Sequence, residues 1–159
     1  MSILTYPILP KYLAHKKMYP PIETNIRSKL NMDGVPGLKL KQLQYETDTW
    51  KRLLCFMLEE NIHLKNRLSE VLKDRFNNQL LDELENFQNG FIKEDELISF
   101  LRNEVAEIDG ELVKEIFLDG KLNKEMDKRI HHLRNILSNA EKRFGKIKMS
   151  FNNYLSENM

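Results

Sequence analysis

One cysteine, one tryptophan and no proline after position 36 set the limits on this 159-residue chain. A lone Cys55 excludes an internal disulfide and the paired thiols of a zinc site, and its neighbours Leu53, Leu54 and Phe56 give it the reading of a small buried hydrophobe rather than a reactive thiol. No stretch approaches the roughly 18 to 20 apolar residues of a membrane helix. Pro7 and Pro10 interrupt the first apolar pieces and no basic stretch precedes them, as a secretory signal would require, so a cytoplasmic location is expected. Glycine-rich phosphate loops, zinc-spaced thiols and a nucleophile elbow are all missing from the sequence, and with them the usual grounds for expecting catalysis or a cofactor.

The five prolines, Pro7, Pro10, Pro20, Pro21 and Pro36, mark a boundary. Proline removes an amide donor and clashes with the preceding turn, so residues 1–37 read as an irregular tail, ending at Asp33-Gly-Val-Pro-Gly37. That tail still carries Ile3, Leu4, Tyr6, Ile8, Leu9, Tyr12 and Leu13, more apolar residues than a solvated linker usually holds.

From residue 38 onward the apolar spacing alternates threes and fours, the mark of a heptad seam on a long helix. Leu43, Trp50, Met57, Leu64 and Val71 recur every seventh residue in the first segment, with Leu54, Asn61 and Leu68 on the companion row. A second seam runs through Leu80, Leu84, Phe87, Phe91, Ile98, Leu101, Val105, Ile108 and Leu112, with Glu94 in place of one apolar residue. The third holds Met126, Ile130, Leu133, Leu137, Ala140, Phe144, Ile147, Phe151 and Tyr154. Residues 38–159 therefore read as one all-α domain, an antiparallel bundle of three coiled-coil-like helices at about 40–73, 77–117 and 121–156. Gly90, Gly110 and Gly145 lie off the seams and need not end a helix, and Gly120 is a candidate C-terminal cap. In outline the three heptad segments resemble spectrin-like bundles, a likeness of architecture that transfers no function.

Charge divides along the same lines. Residues 1–37, 38–75, 76–118 and 119–159 carry nets of +3, +2, −8 and +4, so an acidic middle helix stands between two basic ones. That pattern suits neighbours within one bundle and opposes pairing of the middle helix with itself.

Three candidate sites emerge. Glu60 and His63 form an E-x-x-H element, which in di-iron bundles supplies two ligands from one helix, but the set requires a second copy and this chain has one. A solvated surface is the expected setting for both, as for the adjacent His131 and His132. Asn61, on the seam, is expected to meet another buried polar group such as Glu94. Thr47 stands on the same row near the helix end, where hydration is expected to satisfy it. Lys142, Arg143, Lys146 and Lys148 interleave with aromatics and raise a DNA-associated alternative, yet Phe144, Ile147, Phe151 and Tyr154 hold the seam, so nucleic acid is not the expected partner.

The remaining signal is apolar surface beyond what a seam needs. Cys55, Leu58 and Ile62 form a second stripe on the first helix with Phe56 nearby, and Leu97 and Phe100 lie off the seam of the second. The expectation is a non-catalytic bundle acting through protein contacts, as adaptor, assembly component or regulator, with a protein partner or self-association at these residues. A metal-binding bundle built on Glu60 and His63 is the alternative reading.

Overall fold

The computed structural model describes residues 38–74, 78–118 and 122–159. The expected N-terminal tail and the candidate cap Gly120 lie outside these. Three α-helices account for nearly all of the described chain: α1 (Leu38–Asp74), α2 (Asn78–Leu118) and α3 (Lys124–Asn158). Their 37, 41 and 35 residues correspond to rods of about 55, 60 and 50 Å. Side-chain contacts fix their directions. Along α1 the cross-contacts descend α2, from Thr47 with Asp109 to Lys65 with Asp95, so these two helices are antiparallel. Contacts of α3 climb α1 in step, from Glu46 with Arg134 to Glu60 with Lys148, so these two are parallel. The bundle runs up, down and up, with α1 and α2 in closest approach.

The heptad seams form the core, as the spacing predicts. Writing each heptad a to g with a and d facing inward, α1 buries Leu40, Leu54 and Leu68 at a and Leu43, Trp50, Met57, Leu64 and Val71 at d. α2 buries Leu84, Phe91, Ile98, Val105 and Leu112 at a, and α3 buries Ile130, Leu137, Phe144 and Phe151 at a. Aromatic rings concentrate where the C-terminal half of α3 meets the N-terminal half of α2. Phe151 lies edge-on to both Phe87 (5.1 Å between centroids) and Phe91 (5.2 Å), and Phe87 also packs on Tyr154 at 5.5 Å.

α2 passes Gly90 unbroken, and the glycine has a packing reason. A methyl group there would lie 2.4 Å from Ile147 Cδ1 of α3, whereas Gly110 and Gly145 face open space. Alanine at either open site is expected to stabilise the bundle by about 0.5–1 kcal/mol through helix propensity alone. Gly90→Ala is expected to forfeit that gain because Ile147 must move, a contrast that urea unfolding of the three variants would measure.

α3 begins at Lys124, three residues later than the sequence spacing suggests. Asn123 is the reason: its backbone is extended and its side-chain Oδ1 accepts from the amide of Met126 at 2.7 Å, satisfying a donor that the helix leaves open. Asn123→Ala is expected to cost about 1 kcal/mol, with Asn123→Ser retaining most of it.

Candidate functional site

The flanking e and g positions sort the helices by charge. The e row of α1 is basic and meets the acidic e row of α2, with Lys51 on Asp109 at 2.5 Å and Lys65 on Asp95. Two acidic residues of the g row of α1 meet two basic residues of the e row of α3, Glu46 on Arg134 at 2.6 Å and Glu60 on Lys148 at 2.6 Å. Between α2 and α3, Arg129 reaches Glu107 and Glu111 at 2.9 Å each, and Arg143 reaches Glu94 at 2.8 Å. In the mirror-image arrangement these particular pairs would be broken, because the flank of α1 that carries Lys51 and Lys65 would turn away from Asp109 and Asp95.

Hydrogen bonds to carboxylates, first and foremost, hold three of these bases above their ordinary values: Lys51 through Asp109, Arg129 through Glu111 and Arg134 through Glu46. A base with a raised folded-state pKa contributes stability in full below its unfolded value and loses it only as pH climbs through the folded one. These contributions therefore persist through neutral pH and fade only in strong alkali. Exposed pairs of this kind add about 0–1 kcal/mol each, so their larger effect is on which helices meet.

A second polar feature lies inside the bundle. Glu60 is 1% exposed, Asn61 0%, Glu94 3% and Lys148 7%. Asn61 donates to the carbonyl oxygen of Phe91 at 2.9 Å and to Asp95 at 2.7 Å, tying α1 to α2 at one register. Its partner is thus Asp95 and not the neighbouring Glu94, which turns to α3 and Arg143. Glu60 is buried against Lys148 and not solvated, because its g position faces the parallel helix α3. Thr47 is likewise buried, and its hydroxyl donates to Asp109 at 2.7 Å across the α1–α2 seam, so water is not needed to satisfy it. Three acceptors in this layer, Glu60 Oε2, Asn61 Oδ1 and Glu94 Oε2, receive no hydrogen bond from the described residues.

These placements bear on the sequence candidates. Glu60 faces Lys148, whereas His63 is exposed, and among the described residues no three His, Cys, Asp or Glu side chains come together as a metal site. His131 and His132 are both exposed. Of the four basic residues near the end of α3, only Lys148 is buried, against Glu60; Arg143 is exposed and reaches back to buried Glu94, and Lys142 and Lys146 are exposed. Three of the four cations suggested by the sequence therefore lie at the surface and one inside the bundle.

The apolar candidates fall on two faces. Cys55 is exposed, not buried, because its b position turns it away from the seam in spite of its apolar neighbours. It shares the outer α1–α2 face with half-buried Leu58 and with Ile62, which is 44% exposed. Ile92, 45% exposed at a b position of α2, lies at the level of Ile62 across the same groove and completes the strip. Sequence reasoning missed Ile92, though its place one residue after the seam Phe91 gives it the same phase as Ile62 after Asn61. Phe56 is half-buried and turned about 100° from Cys55 toward the α3 side. Leu97 packs half-buried against the core on the α3 side of α2, and Phe100 beside it is 53% exposed.

Fold and site together define an antiparallel three-helix bundle with an internal ionic layer and, on its α1–α2 face, exposed Ile62 and Ile92 beside two Lys–Asp pairs. Compared with known protein families, curated proteins and solved structures, the chain matches none. No helix among the described residues is long and apolar enough to cross a membrane.

Proposed function

We propose that this chain is a non-catalytic helical-bundle protein that works through protein contacts, as an adaptor, assembly component or regulator, with the outer α1–α2 face as its contact surface. The observation that carries the reading is the strip formed by Ile62 and Ile92, whose side chains stand nearly half exposed at one level of the groove beside Cys55 and Leu58. A heptad helix normally places charge at such outward positions. Apolar side chains aligned across two helices instead offer a partner the desolvated centre that gives protein interfaces their affinity, with charged rims around it. The metal reading draws less support, since Glu60 is already engaged with Lys148 inside the bundle.

A photo-crosslinking side chain at position 62, compared in the native cell with one at Met149 on the outer face of α3, tests the reading. Met149 is 64% exposed and serves as the control. Position 62 is expected to give discrete protein adducts that position 149 does not. Equal or absent crosslinking from the two positions would remove the α1–α2 face as a contact surface.

A further inference from the structure

The outer side of the α2–α3 groove sets like charges against each other. Gly90 stands over Ile147 and Glu94 takes Arg143, so α2 from Gly90 to Glu94 runs antiparallel past α3 from Ile147 back to Arg143. Lys93 and Lys146, both at c, therefore share one level of that groove. Both are exposed, and neither makes an ion pair among the described residues. Arg143 beside them is also exposed and spends only its Nε on Glu94, which leaves the two Nη groups of its guanidinium for a further acceptor. Lys142 adds a fourth cation at f. Nearby acids offer little compensation: Asp95 is held by Lys65 on the α1 side, Glu141 stands on the e row that faces α1, and Glu96 is exposed at f. Facing cations weaken the contact between two helices unless an anion lies between them.

Carboxylates close the patch at both ends. Exposed Glu83 and Glu157 lie about 15 Å along the helices in one direction, and Glu104 and Glu107, with Arg129, about 15–20 Å in the other. A nucleic acid, with a charge for about every 1.7 Å of duplex, would run onto those carboxylates, whereas one compact anion would not. Residues 1–37, with their net charge of +3, do not suit the patch either. Next to the cations the face turns apolar. Phe100 is 53% exposed and stands about 10 Å along α2 from Lys93, with partly buried Leu97 and Ile136 beside it.

We propose that this face binds a phosphorylated segment of a protein partner, the phosphate among Lys93, Arg143 and Lys146 and an apolar side chain on Phe100 and Leu97. The surface is distinct from the α1–α2 face and the inference does not depend on it; the segment runs from Lys93 toward Phe100, away from Met149. A phosphate brings about −1.5 to −2 charges and three acceptor oxygens to one point, which answers three cations as a single carboxylate cannot. An extended peptide advances about 3.3 Å per residue, so the apolar side chain stands about three residues from the phosphorylated one.

Titration of the labelled full chain, followed by amide chemical shifts, tests the proposal with a short phosphoserine peptide carrying a leucine three residues on. Saturable shifts are expected around Lys93, Phe100, Arg143 and Lys146. Peptides with glutamate or unmodified serine in place of the phosphoserine are expected to bind about tenfold more weakly or worse. Inorganic phosphate and a single-stranded oligonucleotide are each expected to bind more weakly than the phosphopeptide. Lys93→Glu is expected to weaken the phosphopeptide at least about tenfold and yet to raise the urea midpoint, because a repelling pair becomes an attracting one.

Absence of saturable shifts at millimolar peptide overturns the proposal. Equal binding of the glutamate peptide removes the phosphate, and equal binding of inorganic phosphate removes the apolar contact and the protein partner with it. An oligonucleotide that binds more tightly than the phosphopeptide assigns the face to nucleic acid instead. A urea midpoint lowered by Lys93→Glu shows that the lysine is not repelled in the free protein, which removes the charge argument.

Discussion

Lys148→Met is expected to destabilise the bundle by about 3–5 kcal/mol, although the substitution removes a charge and adds an apolar side chain. The cost lies in what remains. Glu60 is 1% exposed and its ionised carboxylate has Lys148 at 2.6 Å as its counter-ion; without the ammonium the charge is buried and uncompensated. Replacing both partners, Glu60→Leu with Lys148→Met, is expected to return stability to the wild-type level or above it, because desolvating two ions costs about as much as their attraction returns. Urea unfolding of the two single variants and the double variant gives the coupling directly. If the single variants cost less than about 1 kcal/mol each, the pair is hydrated and the inward-facing layer described above is wrong.

Phe151→Ala has the second largest expected effect, a loss of about 3–5 kcal/mol. The ring is fully buried and lies edge-on to Phe87 and Phe91, so truncation removes its own burial and two aromatic contacts while leaving a space between helices that are already fixed by their seams. Phe151→Leu keeps most of the volume and is expected to cost less than half as much. For a domain whose total stability is on the order of 5–15 kcal/mol, the alanine variant should unfold well below the wild-type denaturant midpoint. A large loss for Phe100→Ala, whose ring is 53% exposed, would contradict this division between core and surface.

The fold was legible in the sequence because burial on a helix is periodic. Residues such as Ile98, Leu101, Ile130 and Leu137 announce their inward direction by spacing alone, and each is buried. What spacing leaves open is which flank of a helix faces which neighbour. Lys148 and Glu60 occupy e and g positions, where charged side chains are ordinarily solvated, and their meeting depends on α1 and α3 lying side by side in parallel with a shift of 88 residues. Neither the parallel direction nor that shift is a local property. Cys55 shows the converse error: apolar neighbours along the chain say little about where a side chain points, because successive helical residues are turned by about 100°. Ile62 was legible as surplus apolar surface, but its companion Ile92 belongs to another helix, and only the antiparallel register of α1 on α2 brings the two to one level.

An odd number of helices has a mechanical result. The chain enters α1 at Leu38 and leaves α3 at Asn158, and in an up–down–up path these points stand at opposite ends, on the order of 50 Å apart. Tension applied through them would run lengthwise along the rods, shearing every seam at once, whereas an even-numbered bundle pulled at its neighbouring ends would unzip one contact at a time. The molecule is thereby shaped to resist tension along its length.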